Sequence, residues 1–344
     1  MWKKIVAGLL VLVIVVVAAF KIFQNNGNLE DLATELNESL NSYNLEGSME
    51  MSNGEEVRNY NVKVSYKHNN EDDFFKVSLF DTNINQEQLM LRNEKGVYVI
   101  TPTLNQVYEF KGDWPLNSPK PYIYQSMLEA FNREHKVENL DDGYLVTTFP
   151  EFANANQWYK EEIKFDKELN PLWLNIYDKD NVIRVKLVVN KFDKDVDFEE
   201  KYFDVEQVLE DSKTTSLDVT TKFDDLPLYP TNADIEAVLK DQTTANINGE
   251  SVHILAYEGS KPFTVVQRLL SKEDEVVVLE IDGEMIDLMN GIGFVKEKTI
   301  SCIYNGVEYK IYSDVLSAHI KVDMQNIRPC KKSLLTFQFL LSSI

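Results

Sequence analysis

The 344-residue chain reads as a mainly β protein of the α+β kind: consecutive antiparallel strands with covering helices, then a second, smaller β-rich domain. Three observations predict this. Tyr60, Val62, Val64 and Tyr66 alternate with Asn61, Lys63 and Ser65, the period-two pattern of a half-buried strand. Such runs follow one another through short turns, and strands joined that way pair antiparallel. Helical periodicity is confined to two short places, one before these strands and one between them.

Composition narrows the function. Lys and Arg number 35 against 56 Asp and Glu, a net charge of −21. A nucleic-acid binder needs a basic footprint to neutralise phosphates, so no nucleic-acid partner is expected. Two cysteines are too few for a disulfide framework or a Cys-rich zinc site. The length suggests two domains at roughly 100–200 residues each.

Residues 1–28 read as a signal anchor. Ile5 to Phe20 carry no charge, and continuing to Phe23 gives about 28 Å of helix, close to a hydrocarbon core of about 30 Å. Lys3 and Lys4 keep the N-terminus in the cytoplasm. The expectation is a single-pass cell-membrane protein, held by residues 5–23, with its C-terminal bulk extracytoplasmic. A cleaved signal peptide is the rival, because Val17-Ala18-Ala19 offers small residues to a signal peptidase. No cysteine follows the apolar run, so a lipoprotein anchor is not expected. Residues 1–28 hold Lys3, Lys4 and Lys21 and no acid, so the exported part has a net charge of −24. That charge repels anionic headgroups and holds the body off the membrane.

Leu29, Leu32, Ala33, Leu36, Leu40 and Tyr43 recur at helical spacing, predicting an amphipathic helix of about four turns with Asn28 as N-cap. From Leu45 to Phe110 the period is two. Asn93-Glu94-Lys95-Gly96 suits a hairpin with Gly96 left-handed. Pro115, Pro119 and Pro121 mark a break, and Tyr122 to Phe131 reads as a short helix. Strands resume at Tyr144–Phe149, Trp158–Phe165, Leu172–Tyr177 and Val182–Phe192, the last two joined by the turn Asp178–Asn181. Residues 29–206 form the first domain and 207–235, rich in Asp, Thr and Pro, a connector. Residues 236–317 form the second domain, where Asn248-Gly249, Asp282-Gly283 and Asn305-Gly306 are two-residue hairpin signals.

The search for chemistry returns little. His68, His135, His253 and His319 share no metal-ligand spacing and read as structural, so no metal site or cofactor is expected. Asp193, Asp195 and Asp197 begin like a calcium loop, but Phe198 stands where Gly is needed, which makes a solvated turn the better reading. Cys302 and Cys330 could pair in an oxidising exterior or remain isolated thiols. No catalytic residue is assigned, and the expectation is that the protein is not an enzyme. Both faces of some strands look apolar, as at Phe74 with Phe75, Tyr98 with Val99 and Leu172 with Trp173, so both need covering. One reading is a core on one side and helices on the other. The functional reading is a curved sheet with a lidded apolar groove, for which Val62, Val64, Phe75, Val77, Leu89, Leu91, Val99 and Trp173 are the candidates.

Two segments carry a family resemblance. Gly96 to Tyr108 resembles a hairpin of the pattern Y-x-P-x-x-x-x-V-Y, with Thr101 in place of a common aromatic. Phe165 to Leu172 followed by Tyr177 to Asn181 resembles F-D-x-x-x-x-P-L…Y-D-x-x-x. In this order and spacing they resemble the LolA/LolB and RseB/MucB-like superfamily over residues 29–206, most of all its Gram-positive branch with the germination lipoprotein GerS. Tyr257 to Thr264 and Asn305 to Tyr309 look like that branch's second domain. The resemblance implies a LolA-like half-barrel and a non-catalytic binding or scaffold protein. The implied partner is an extracytoplasmic protein such as a cortex-processing amidase, acting in sporulation or germination. It also implies the alternatives of an RseB-like regulator binding an anti-sigma factor and a carrier with an acyl or lipid ligand.

Residues 318–344 break the charge pattern. They hold Lys321, Arg328, Lys331 and Lys332 against Asp323 alone, and Leu334 to Leu341 is almost wholly apolar. This atypical tail is either a variable terminus packed on the second domain or a stretch foreign to the fold.

Overall fold

The computed structural model describes residues 29–52, 57–69, 72–110, 112–116, 119–150, 158–212, 221–229, 237–272, 277–281, 283–288 and 291–314. Residues 1–28, where a signal anchor is expected, Asp282, His319, Cys330 and the tail 318–344 lie outside the described residues. Among the described residues, no helix is long and apolar enough to cross a membrane.

Helix α1 covers residues 29–38. Leu29 and Ala33 are buried, but Leu32 is 36% exposed. The helix is shorter than its spacing predicts: Leu40 lies beyond it and Tyr43 is already on strand β1 (Ser42–Ser52). The cause is tertiary, since the Asn41 carbonyl accepts the His68 amide at 2.7 Å and so starts a strand ladder.

Strands β2 (Val57–Asn69), β3 (Asp72–Asp81), β4 (Gln86–Asn93), β5 (Gly96–Thr101) and β6 (Gln106–Phe110) follow as an antiparallel meander. The β4–β5 turn forms where expected, but Gly96 is not left-handed; Asn93 Oδ1 closes it by accepting the Lys95 amide at 2.9 Å. Helix α2 (Tyr124–Leu128) and a 3-10 turn (Glu129–Asn132) follow. Then come β7 (His135–Leu140), β8 (Gly143–Thr148), β9 (Lys160–Phe165), β10 (Pro171–Tyr177) and β11 (Ile183–Lys194). Strand β7 is not among those the alternation predicts, because this edge strand has only Val137 and Leu140 as apolar residues.

Helix α3 (Val205–Ser212) occupies the first part of the expected connector. Asp204 caps it, accepting the Glu206 amide at 3.0 Å. Beyond lie β12 (Ala237–Ile247), β13 (Glu250–Gly259), β14 (Phe263–Leu269), β15 (Val277–Ile281), β16 (Glu284–Leu288), β17 (Gly291–Lys296), β18 (Thr299–Tyr304) and β19 (Val307–Tyr312). Asn248-Gly249 and Asn305-Gly306 make the expected turns with positive φ at both residues. Gly283 does not close a hairpin: β15 and β16, on either side of it, belong to different sheets.

The strands form a 12-stranded sheet, ordered β15-β6-β5-β4-β3-β2-β1-β11-β10-β9-β8-β7, and a seven-stranded sheet, ordered β12-β13-β14-β19-β18-β17-β16. The first is an open half-barrel and the protein is mainly β. Pairing is antiparallel except at one edge, where β15 lies parallel to β6 with Val277 opposite Gln106. Met285, Ile292 and Ile303 of the second sheet also enter the core of the first. Strand β15, from within residues 236–317, thus extends the first sheet.

Residues 221–229 clip onto the second sheet. Leu226 and Leu228 join its core with Leu255, Val265 and Tyr309. The fully buried Gln267 side chain accepts the Leu228 amide at 2.7 Å and donates to the Leu228 carbonyl at 2.5 Å. Gln267→Ala leaves both backbone groups buried without partners. Urea unfolding is expected to report a loss of about 2–4 kcal/mol; an unchanged midpoint would show that the clip contributes nothing.

A buried carboxylate and a contact to α1 lie near the β7 edge of the first sheet. Glu161 of β9 is 3% exposed, with the Arg133 guanidinium at 3.5 Å. His135 Nε2 lies 3.5 Å from Glu30 of α1. Burial pushes the Glu161 carboxyl from 4.5 up to about 7, and Arg133 only partly opposes this. The folded chain then holds a proton that the unfolded chain releases between about pH 4.5 and 7. Stability should fall as pH rises through that window, by about 3 kcal/mol relative to Glu161→Gln, and stay level above it. Chemical denaturation of both proteins across pH checks this, and parallel curves would refute it.

Candidate functional site

Alternation along each strand divides the first sheet into an inner and an outer face. Val62, Val64, Phe75, Val77 and Val99 converge on the inner face, all within one core. Leu89 and Leu91 point to the outer face, where Tyr98, Ile100 and Val107 meet Val208 and Leu209 of α3. Phe74 packs there against Phe203, ring centroids 5.8 Å apart. Trp173 stands apart from both groups, half-buried opposite Val188 on β11. The eight groove candidates thus fall into three places.

The chain itself fills the inner face. Trp114, Ile123, Tyr124, Met127, Leu128 and Phe131, all from the link between β6 and β7, are buried in the same core as the five valine and phenylalanine candidates. Tyr43 is the hub. Its fully buried ring lies 5.3 Å from Tyr66, 5.8 Å from Tyr124 and 5.6 Å from Phe192. Its hydroxyl donates to Gln125 Oε1 at 3.0 Å and accepts the Tyr124 amide at 3.3 Å. Burial raises the Tyr43 pKa far above the ordinary phenol value, although the Tyr124 amide opposes this, so it stays a neutral donor. Tyr124 in turn donates to the Leu169 carbonyl at 3.0 Å, fixing α2 to the β9–β10 turn.

Where the second sheet meets this core, two charges sit in otherwise apolar series. Arg58 precedes Tyr60, Val62 and Val64 on β2, and Asp81 follows Phe75, Val77 and Leu79 on β3; both are buried. The Arg58 guanidinium lies over the Tyr304 ring, 4.7 Å from its centroid, and donates to its hydroxyl. Burial pushes the Asp81 carboxyl up, against the Asn83 amide and Arg58. The cleft beside them has a volume of about 40 Å³, room for one or two waters. The sequence signal was the charge at an inward position, and the sequence reading did not use it.

The remaining candidates resolve simply. His68 lies 3.0 Å from Asp73. His253 lies over Phe223, ring centroids 4.6 Å apart. Among the described residues, no group of three His, Cys, Asp or Glu is placed to hold a metal ion. Asp193 pairs with Lys191 at 2.5 Å. Cys302 is buried, and burial pushes its thiol up to about 12, with Glu308 adding to the shift.

If the inner face is packed by Trp114 and residues 122–131, shortening one of them leaves a void. Phe131→Ala, at a ring 5.7 Å from Phe165, should cost about 3–5 kcal/mol. The apolar cavity should then take up benzene and recover part of the lost thermal stability. Wild-type stability in this variant would refute the packing.

A family model described as sporulation protein YdcC-like matches residues 2–203. Sporulation protein YdcC of Bacillus subtilis (strain 168) is 26% identical over 284 residues, 80% of this chain and 82% of the relative. The Pseudomonas aeruginosa MucA/MucB complex is similar at 12% identity, covering 88% of this chain and 99% of the other with TM-score 0.34. The LolA superfamily protein NE2245 of Nitrosomonas europaea shares 12% identity over 53% of this chain and 98% of its own, with TM-score 0.29. The complex of the CwlD amidase with the GerS lipoprotein from Clostridioides difficile shares 16% identity over 53% and 94%, with TM-score 0.18. With well over half of its residues matched by the family model, the chain belongs to the YdcC-like sporulation protein family.

Proposed function

We propose that this is a membrane-anchored, extracytoplasmic, non-catalytic scaffold that binds a cell-wall modifying enzyme of the spore cortex, a cortex-processing amidase. Membership in a sporulation family supports the setting. The single observation that carries the scaffold reading is the filled inner face. Ile123, Tyr124, Met127 and Phe131 occupy the space in which a carrier of this shape would hold an acyl chain. Displacing them would expose buried apolar surface at about 25 cal/mol per Å². A partner is then met by outward surfaces. Residues 5–23 supply the anchor in this reading, and the acidic body stands off the anionic headgroups.

Purifying the full chain in mild detergent from sporulating cells tests this. The expected result is one extracytoplasmic cell-wall enzyme in fixed ratio, with no acyl chain bound to the protein in native mass spectra. A lipid bound one-to-one would favour the carrier, and turnover of cell-wall fragments by the isolated chain would make it an enzyme.

A further inference from the structure

One end of the first sheet carries apolar side chains left out of its cores. Strands β2, β7, β9 and β11 begin at that end, and β1, β8 and β10 finish there. Phe149 is 48% exposed and Tyr159 50%, with ring centroids 5.4 Å apart. Val182 and Ile183 come next along the rim, then Val57 beyond β1, and all three are exposed. The Tyr159 amide donates to the Tyr177 carbonyl at 2.8 Å, and Ile183 is the register partner of Tyr177. At the other end of these strands the β7–β8 and β9–β10 turns expose Asp141, Asp142, Lys167 and Glu168 instead.

The chain enters the fold at the same rim. Glu30 of α1 sits 3.5 Å from His135, the first residue of β7. His135 is the register partner of Thr148, which precedes Phe149. In the anchored reading residues 24–28 join Phe23 to α1, and five residues reach at most about 18 Å. The start of α1, and with it the Phe149 rim, is thereby confined to the neighbourhood of the bilayer surface. The rim offers no attraction to anionic headgroups. Lys160 pairs with Glu162 at 3.0 Å and Arg184 with Asp178 at 2.6 Å. The exposed Lys179 and Asp180 oppose each other in sign, and Glu55, Glu56 and Glu151 adjoin these strand ends in sequence. What the rim does offer is apolar and aromatic surface, the kind that marks membrane or protein contacts.

We propose that this rim touches the lipid surface, with Phe149, Tyr159, Val182, Ile183 and Val57 entering the headgroup boundary and setting the orientation of the body. A ring with one polar end, as in Tyr159, favours that boundary. Five side chains are too few to hold a free protein on a bilayer. A short tether changes this, because it supplies an effective concentration of order millimolar. The charged end of the sheet then points away from the headgroups, as electrostatic repulsion requires. A protein is the less suited occupant, since it would have to fit between the rim and a bilayer about 18 Å away at most. The inference rests on the anchor of the proposed function and adds which end of the body faces lipid.

Spin labelling of the full chain in phosphatidylcholine vesicles tests this. One nitroxide is attached at Asp180→Cys, in the turn before Val182, and another at Glu168→Cys, at the opposite end. Both sites are exposed, so neither label disturbs a core. A Cys330→Ser background leaves only Cys302, which is buried. Paramagnetic resonance should find the label at Asp180→Cys several-fold better shielded from an aqueous nickel chelate than the label at Glu168→Cys, and more accessible to oxygen. Phe149→Glu with Tyr159→Glu, both at exposed positions, should abolish that difference while the chain still floats with the vesicles. Equal shielding of the two labels on floating chains would overturn the proposal and leave the anchor standing. A difference that survives the two substitutions, or one that appears only when a cell-wall enzyme is added, would overturn it as well. Chains that do not float would overturn the anchor and this inference with it.

Discussion

Tyr43 sits where the first strand, the inner helix and the end of β11 meet, and its ring packs against Tyr66, Tyr124 and Phe192. Aromatic pairs at these separations contribute about 0.5–1.5 kcal/mol each beyond simple burial. The hydroxyl adds a directional requirement, because it must lie between the Gln125 side chain and the Tyr124 amide. An open antiparallel half-barrel has a large apolar inner face that water would otherwise contact. Here that face is closed by the protein's own segment, and Tyr43 holds the segment in register.

The same constraint explains how the second sheet is attached. Closing the inner face with Trp114 and residues 122–131 leaves its β5–β6 end open, where Tyr108 and Phe110 would be exposed. Phe294 covers both, with ring centroids 5.9 and 5.6 Å away. Ile292 and Ile303 complete that end, and β15 extends the sheet beyond β6. Polar ties fix the contact. Gln88 accepts the Ile292 amide at 2.7 Å, and Gln86 donates to Asn305 at 3.1 Å. Arg58 and Asp81 are burdens in an apolar core, offset by their mutual attraction and by Tyr304 and the Asn83 amide. The two sheets thus stabilise each other.

The period-two alternation, the order of strands and the two Asn-Gly turns were legible because each is a local property. A strand must alternate to bury one face, and an Asn-Gly pair tolerates the positive φ of a tight hairpin. Local spacing also carried the inner face in part, since Val62, Val64, Phe75, Val77 and Val99 converge as a consistent register requires. The α3 helix was not legible as such: Val205, Val208 and Leu209 have helical spacing, but they sit at the start of a connector rich in polar residues.

Tertiary structure decided the rest. Leu40 and Tyr43 continue a helical spacing but lie outside the helix, because the ladder beginning at Asn41 outweighs local propensity. Leu89 and Leu91 face outward because only the pairing register, Lys76 with Leu91 and Ser78 with Leu89, tells which side of β4 meets which core. The Asp282-Gly283 signal marks a crossing between sheets, since β15 finds the edge of β6 rather than β16. Sequence by itself determined that this chain is a set of antiparallel strands needing cover on two faces. Only the folded structure decided that the cover comes from its own Trp114 and residues 122–131, from α3 and from the second sheet. The reason is that covering a face is a contact between residues far apart in the chain, and no local pattern encodes its partner.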